Sequence, residues 1–109
     1  MRAARVRSAN DRKYSGVHAG EIFGGKLIRY VRPEYPRWAK RRGIQGVVEF
    51  TAVVGKDGTI ERLTLLKGPK ELVPYAEAAI RQWRYEPILL NGVPLETITD
   101  EAVDFTLNQ

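Results

Sequence analysis

The stretch 31–60 contains residues that set the ends of its secondary-structure elements. They are two prolines, a glycine and a change from helical to alternating spacing of the apolar residues. Proline biases the residue before it towards extended geometry and fits the first turn of a helix. Pro33 and Pro36 therefore predict an extended segment followed by a helix. We expect that helix over 37–42, because cations fill its last turn and Gly43 can supply a left-handed cap.

The stretch after this helix has the period of a strand. Every second residue from 48 to 54 is apolar, which predicts a strand that is buried on one face. The glycine-flanked turn at 55–58 then returns the chain as a hairpin. A second strand over 59–67 needs a bulge near Glu61 and Arg62 to bring its apolar residues onto one face.

The C-terminal half contains a second helix and a last strand. Apolar residues recur at three- and four-residue spacing from 72 to 84, which predicts a longer helix with Pro74 in its first turn. The turn dipeptide Asn91-Gly92 follows. The last run, 95–107, ends with alternating apolar residues and is expected to be a strand that is buried on one side.

These elements predict an α+β fold, a three-stranded antiparallel sheet with two helices packed on one face. Each strand has one apolar face, and the longer helix has one apolar stripe to cover it. The last strand is expected to pair beside one hairpin strand and to leave its far side unpaired. An unpaired edge also allows homodimerisation, because it can pair with a second copy of the chain.

The composition describes one globular domain with a basic start. The chain has 109 residues, no cysteine and a net charge of +5. No apolar run reaches the roughly 20 residues of a membrane span, and disulfides and thiolate sites are excluded. Residues 1–25 predict a basic, glycine-containing tail or linker. No aromatic residue is interleaved with its early arginines, so a solvated tail is favoured over nucleic-acid binding.

Few residues of this sequence could act as catalytic, metal-binding or phosphate-binding groups. His18 is the only histidine, and neither a serine triad nor a usual zinc site can be built on it alone. Asp100, Glu101 and Asp104 form an acidic cluster, but strand alternation sends Glu101 to the opposite face, and all three are expected to be solvated. No glycine pattern of a phosphate-binding loop is present. We therefore expect a binding module without metal or cofactor rather than an enzyme.

The large aromatic residues are expected to pack in the core rather than to form a ligand cage, because their spacing matches the predicted apolar faces. They are Tyr35, Trp38, Phe50, Trp83, Tyr85 and Phe105.

Several short motifs follow one another between residues 26 and 108. They are Pro33-x-Tyr35-Pro36-x-x-Ala39, Gly43-Ile44-x-Gly46-x-Val48, Asp57-Gly58-x-Ile60, Ala78-Ala79 with Trp83-x-Tyr85-x-Pro87, Asn91-Gly92-x-Pro94 and Val103-x-Phe105-x-Leu107. In order and spacing this set resembles the C-terminal domain of TonB, the energy transducer of Gram-negative outer-membrane import.

The resemblance implies a peptide-capture domain. TonB domains carry no catalytic residues and bind a short extended segment of an outer-membrane transporter, the TonB box, as an added strand along the last strand. A second contact segment precedes the Pro-x-Tyr-Pro motif, where Arg29 or Arg32 would steer an acidic segment. The partner-binding residues carried over are Val31, Arg32, Val103, Asp104, Phe105, Thr106 and Leu107.

The resemblance also implies a division of the chain into the tail, 1–25, and a TonB C-terminal-like domain, 26–109. The membrane anchor and proline-rich spacer of full-length TonB are absent from this sequence. We therefore expect either a periplasmic fragment of an energy transducer, which reaches its inner-membrane motor complex only through the missing anchor, or a stand-alone structural and docking subunit of a larger membrane assembly.

Overall fold

The computed structural model describes residues 5–8 and 22–107. In this part of the chain the elements are, in order, β1 (Arg5–Ser8), β2 (Ile22–Phe23), β3 (Leu27–Arg29), α1 (Arg37–Arg41), β4 (Gly46–Val54), β5 (Ile60–Lys67), α2 (Val73–Ile80), β6 (Arg84–Tyr85), β7 (Ile88–Leu90), β8 (Val93–Leu95) and β9 (Thr97–Phe105).

The main sheet is antiparallel and has the strand order β1-β9-β4-β5. Strand β4 lies at its centre, paired on one side with β5 and on the other with β9 along all nine of its residues. From residue 48 to residue 54 the even-numbered residues of β4 are buried and the odd-numbered ones are half-buried, as expected when one face of a strand contacts the core.

Both helices cover the buried face of this sheet, which confirms the predicted α+β class. The core joins α1, α2, β4 and β9. Four of the six large aromatic residues belong to this core, as predicted: Tyr35, Phe50, Trp83 and Phe105, of which Trp83 is fully buried. Trp38 packs against the core half-buried, and Tyr85 is buried outside this cluster. Tyr35 meets Phe105 edge-on with ring centroids 5.2 Å apart, so the segment before α1 is held directly against β9.

The predicted hairpin bulge is confirmed at Glu61. Val53 lies opposite Arg62 and Val54 opposite Ile60, so Glu61 is the extra residue. The turn before it depends on Gly58, which has a φ of 85°. A Cβ atom there would collide with the carbonyl oxygen of Tyr85, so both the backbone angle and the space favour glycine.

The second helix is shorter than predicted. Pro74 does lie in its first turn, but α2 ends at Ile80 rather than near Arg84. The reason is tertiary: β6, which includes Arg84, pairs with β3. The helical spacing of Trp83 therefore reflects burial in the same core rather than a continued helix.

Two small sheets flank the main one. One has the order β2-β7-β8, and its β7–β8 hairpin turns at the predicted Asn91-Gly92, whose φ angles are both positive. The other pairs β3 with β6. Neither described helix is long and apolar enough to cross a bilayer.

Candidate functional site

The last strand, β9, is buried on one face only, as the sequence predicted. Val103 and Phe105 are buried in the core, Asp104 is half-buried, and Thr106 is exposed just beyond the end of the strand. Leu107 packs against the core from outside. Phe105, Val103 and Leu107 therefore anchor the strand, while Asp104 and Thr106 lie where a partner has access.

Main-chain geometry shows which residues of β9 face its outer edge. The N–H of Gly55, which directly follows β4, donates to the carbonyl of Thr59 at 2.8 Å, on the β5 side. Because successive N–H groups along a strand point to opposite sides, the odd-numbered residues of β4 direct theirs to β5 and the even-numbered residues direct theirs to β9. The N–H of Leu107 donates to Gln45 Oε1 at 2.9 Å, on the β4 side. Both contacts indicate that the even-numbered residues of β9, Ala102 among them, direct their N–H groups away from β4.

That outer edge carries a strand in this structure. Arg5 lies opposite Asp104 and Ser8 opposite Glu101, in antiparallel register. The expectation that the far side of β9 is unpaired is therefore corrected. A short, polar segment has no apolar alternation from which a strand can be predicted, because its pairing depends on main-chain groups that every residue carries.

The pairing between β1 and β9 is close to energetic balance. Two hydrogen-bonded residue pairs, Arg5 with Asp104 and Arg7 with Ala102, each exchange two main-chain hydrogen bonds. Each bond contributes about 0.5–1.5 kcal/mol net, and ordering the backbone of each residue costs about 1–2 kcal/mol. The two sums are of similar size, so main-chain pairing alone stabilises β1 little.

The second predicted contact segment, Val31 and Arg32, is tied to the core through Val31. The carbonyl of Val31 accepts a hydrogen bond from Trp83 Nε1 at 2.8 Å, and Arg32 is exposed. Trp83 and the Tyr35–Phe105 contact thus link Val31 and Arg32 to β9 through the core. Burial raises the pKa of Tyr35, whose hydroxyl donates to the carbonyl of Ile44 at 2.5 Å.

A shallow cleft of about 180 Å³ opens between this segment and α2. Its lining residues are Val31, Arg32, Glu34, Tyr75, Ala78, Ala79 and Gln82. Sites for small molecules usually enclose about 300–1,000 Å³, so this cleft fits a single side chain of a bound segment better than a separate ligand.

Glu101 differs from its prediction. It is 1% exposed, and the hydroxyl of Tyr85 donates a hydrogen bond to its Oε1. The expectation that Glu101 is solvated is wrong, whereas the expectation that it lies opposite to Asp100 and Asp104 is correct. Its odd position in β9 was the available signal, because that parity places it beside Val103 on the core face.

No set of three metal-ligating side chains converges among the described residues. His18 lies outside the described residues.

Comparison with known proteins places this geometry in a family. The family model described as Gram-negative bacterial TonB protein C-terminal matches residues 31–107. Protein TonB of Vibrio cholerae serotype O1 is 39% identical over 67 residues, which are 60% of this chain and 28% of that protein. Protein TonB of Pseudomonas aeruginosa is 30% identical over 82 residues, which are 72% of this chain and 24% of that protein.

A solved structure agrees with the fold. The solution NMR structure of the Pseudomonas aeruginosa TonB CTD superposes with a TM-score of 0.56 at 22% identity, covering 81% of this chain and 88% of that one. The chain spans about a quarter of the length of the curated relatives it matches.

Proposed function

This chain belongs to the family of TonB C-terminal domains, and we propose that it is the peptide-capture domain of a TonB-like energy transducer. In this proposal it works on the periplasmic side of a membrane-anchored protein and binds an extended segment, the TonB box, of an outer-membrane transporter. The segment joins the sheet along β9, and the transducer pulls on it to drive import with the proton-motive force.

The observation that carries the proposal is the outer edge of β9. Nine consecutive residues of β9 pair with β4 without a register shift, and the opposite edge carries the short strand β1. Strand addition draws its affinity from main-chain hydrogen bonds and its selectivity from neighbouring side chains. This edge supplies both, with Asp104 and Thr106 beside it.

One face of β9 is buried, so the core can resist a force that is applied to the outer edge of this strand. Val103 and Phe105 lie in the core and Tyr35 packs against Phe105, so a force applied along β9 is transmitted to β4 and both helices. In this proposal a membrane anchor of the transducer couples the domain to an inner-membrane motor complex.

The test uses the full chain, immobilised, to capture proteins from a solubilised Gram-negative envelope extract. Ala102→Pro removes one outward main-chain donor at the middle of the edge, while Ala102→Thr keeps it. We expect wild type and Ala102→Thr to retain outer-membrane transporters, and Ala102→Pro to lose most of them. Circular dichroism of each variant checks that the fold is intact.

Competition completes the test. A synthetic peptide copied from the plug segment of a captured transporter should displace it from the wild-type chain. Equal capture by folded Ala102→Pro would place the partner elsewhere on the domain. Recovery of a single stoichiometric inner-membrane assembly that is insensitive to the peptide would overturn the proposal and favour a structural subunit.

A further inference from the structure

The charges of the domain are divided between its two parts. Residues 26–42 contain seven lysines and arginines and one carboxylate, whereas residues 43–107 contain six lysines and arginines and ten carboxylates. Six of the seven cations in the first part are exposed, and we call them the basic surface. They are Lys26, Arg29, Arg32, Arg37, Arg41 and Arg42.

The basic surface is not neutralised from within the domain. The ion pairs of the described residues join Lys67 with Glu49 and Arg81 with Glu77, so none of the six cations has an ion-pair partner among the residues that the structure describes. Like charges that lie close together repel one another, and a partner with many negative charges relieves that repulsion. The basic surface therefore favours an anionic partner.

Ring contacts join the two halves of this surface. Arg32, on the extended segment before α1, lines the same cleft as Tyr75. The Tyr75 ring lies 6.4 Å from the Trp38 ring of α1, measured between ring centroids. The guanidinium of Arg42 lies 5.8 Å from the centroid of the Trp38 ring. The cations of the extended segment and those of α1 therefore belong to one continuous surface around the cleft.

Exposed apolar side chains lie among these cations. Ile28 is 64% exposed, and Tyr30 is exposed beside it within the basic segment 26–32. Trp38 is half-buried next to Arg42. A soluble polyanion contacts only the cations of such a surface. The surface of an anionic bilayer takes both kinds of side chain, because its headgroups attract cations and its interface accommodates aliphatic side chains, tyrosine and tryptophan.

We propose that the basic surface binds the anionic headgroups of a phospholipid bilayer, with Ile28 and Tyr30 entering the interface beneath the headgroups. This contact goes beyond the proposed function, because it uses a surface other than the outer edge of β9. It holds the domain at a membrane and leaves that edge to a transporter segment.

The test is co-sedimentation of the full purified chain with lipid vesicles. One set of vesicles is phosphatidylcholine alone, and the other is an equal mixture of phosphatidylcholine and phosphatidylglycerol. We expect the chain to bind the anionic vesicles roughly tenfold or more tightly than the neutral ones at low salt. The difference should shrink as salt is added, because salt screens exposed charges.

A pair of double variants separates the basic surface from the net charge. Arg37→Gln combined with Arg41→Gln removes two exposed cations from α1. Each cation near an anionic membrane contributes roughly fivefold in affinity, so this variant should bind anionic vesicles roughly ten- to thirtyfold more weakly. Lys56→Gln combined with Arg62→Gln removes the same charge at exposed positions elsewhere. It should weaken binding by less than about threefold.

A second pair of variants tests the entry of apolar side chains. Ile28→Ser should weaken binding to anionic vesicles roughly three- to tenfold, because less apolar area leaves water. Leu66→Ser, at another exposed apolar position, on β5, should bind like wild type. Poly-glutamate replaces the vesicles in a parallel titration, since it offers charge without an interface. Its binding should not depend on Ile28.

Equal binding to neutral and anionic vesicles, or equal losses in the two double variants, would overturn the role of the basic surface. Undiminished vesicle binding by Ile28→Ser would overturn the lipid assignment and favour an acidic protein at this surface. Circular dichroism checks that each variant is folded. These outcomes are independent of transporter capture, which is tested at Ala102 on β9.

Discussion

The two strands that flank the central strand β4, β9 and β5, differ in regularity and charge. Strand β9 pairs with β4 without interruption and accepts β1 on its far side. Strand β5 has two register shifts against β4, one of them at the Glu61 bulge, and no strand of the described residues pairs with its outer side. Bulges and edge cations such as Arg62 and Lys67 discourage further pairing.

Exposed apolar side chains alone are therefore not sufficient to identify an edge to which a strand can be added. Leu65 and Leu66 on β5 are 47% and 55% exposed, so the β5 edge is the more apolar of the two. Regular main-chain geometry nevertheless favours β9, because an added strand needs donors and acceptors at even spacing. Variants in the core change the packing that supports these strands, whereas variants on β9 or β5 change one edge at a time.

The largest effect should come from Trp83, which supports both halves of the predicted site. Trp83→Ala should lower the free energy of unfolding by about 3–5 kcal/mol, because it leaves a large cavity and removes the donor to the Val31 carbonyl. Urea unfolding measures this loss. Trp83→Phe, which keeps much of the ring volume, should lose less. A loss under about 1 kcal/mol for Trp83→Ala would contradict its central place in the core.

Tyr85→Phe should act next most strongly, beneath β9. It removes the hydroxyl that donates to buried Glu101, at a cost of about 1–3 kcal/mol in unfolding free energy. Tyr75→Phe, at a half-buried position on α2, is the matched control and should cost much less. Hydrogen exchange should show faster exchange on β9 than on β5 in Tyr85→Phe. An equal increase on both strands would mean that Glu101 stabilises the whole core rather than this edge.

A pair of proline variants compares the edges directly. The N–H of Thr51 points to β5, and Thr51 lies opposite Thr64, so the N–H of Thr64 points back to β4. The N–H of the next residue, Leu65, therefore points to the outer side of β5. Leu65→Pro should leave peptide affinity unchanged, whereas Ala102→Pro should lower it about tenfold, or about 1.4 kcal/mol. Anisotropy with a labelled peptide copied from the plug segment of a captured transporter measures both.

Thr106→Pro gives an intermediate point on the same scale. Thr106 follows the end of β9 and lies beyond the four residues that β1 covers. Its effect should therefore be smaller than that of Ala102→Pro. A larger loss for Thr106→Pro or for Leu65→Pro would move the binding edge away from the middle of β9.

The smallest effect concerns the bulge that interrupts β5. A hydrogen bond with Glu96 raises the pKa of Glu61. A carboxyl group whose pKa is raised on folding contributes stability below its unfolded pKa, near 4.5, and that contribution is lost as pH rises through the folded pKa. Glu61→Gln should therefore raise the melting temperature at pH 7 by something on the order of 1 °C, with little change at pH 4.

Asp57 in the same turn serves as a control of opposite sign. Hydrogen bonds from the side chain and main chain of Thr59 hold the pKa of Asp57 below its usual range. The stability it contributes is present above its unfolded pKa and is lost as pH falls through the folded pKa. Asp57→Asn should therefore lower the melting temperature at pH 7 and not at strongly acidic pH. A fall in the melting temperature of Glu61→Gln at pH 7 would show that the bulge needs the charge.

Local patterns were sufficient for most elements of this fold. Pro36 and Gly43 bound the first helix, alternation identified β4 and β9, and parity predicted the bulge at Glu61, because each depends on residues close in sequence. The end of α2 was predicted too late, because Trp83 continues the helical spacing of apolar residues. In the structure the chain has by then left the helix, and the following strand β6 pairs with β3. That pairing joins residues far apart, and no local signal reports it.

The candidate site divides in the same way. The half-buried C-terminal strand was predicted from its alternation, and the family from its ordered motifs, whereas the assignment of partner residues Val31, Arg32 and Val103 to Leu107 stays a prediction. So does the division at residue 25. The strand β1 had no local signal, since the pairing of a short, mostly polar segment depends on main-chain groups that every residue carries.

The sequence alone therefore determined the α+β class, the order of the elements, the face that each strand buries and the family. Hydrophobic period and turn chemistry act over a few residues and can be read without coordinates. The tertiary structure alone decided that β9 carries a strand from the N-terminus, that Glu101 is buried against Tyr85, and that Val31 is tied to the core by Trp83. Each of these is a contact between distant segments, and it forms only when the packed sheet brings their main-chain and polar groups within hydrogen-bonding distance.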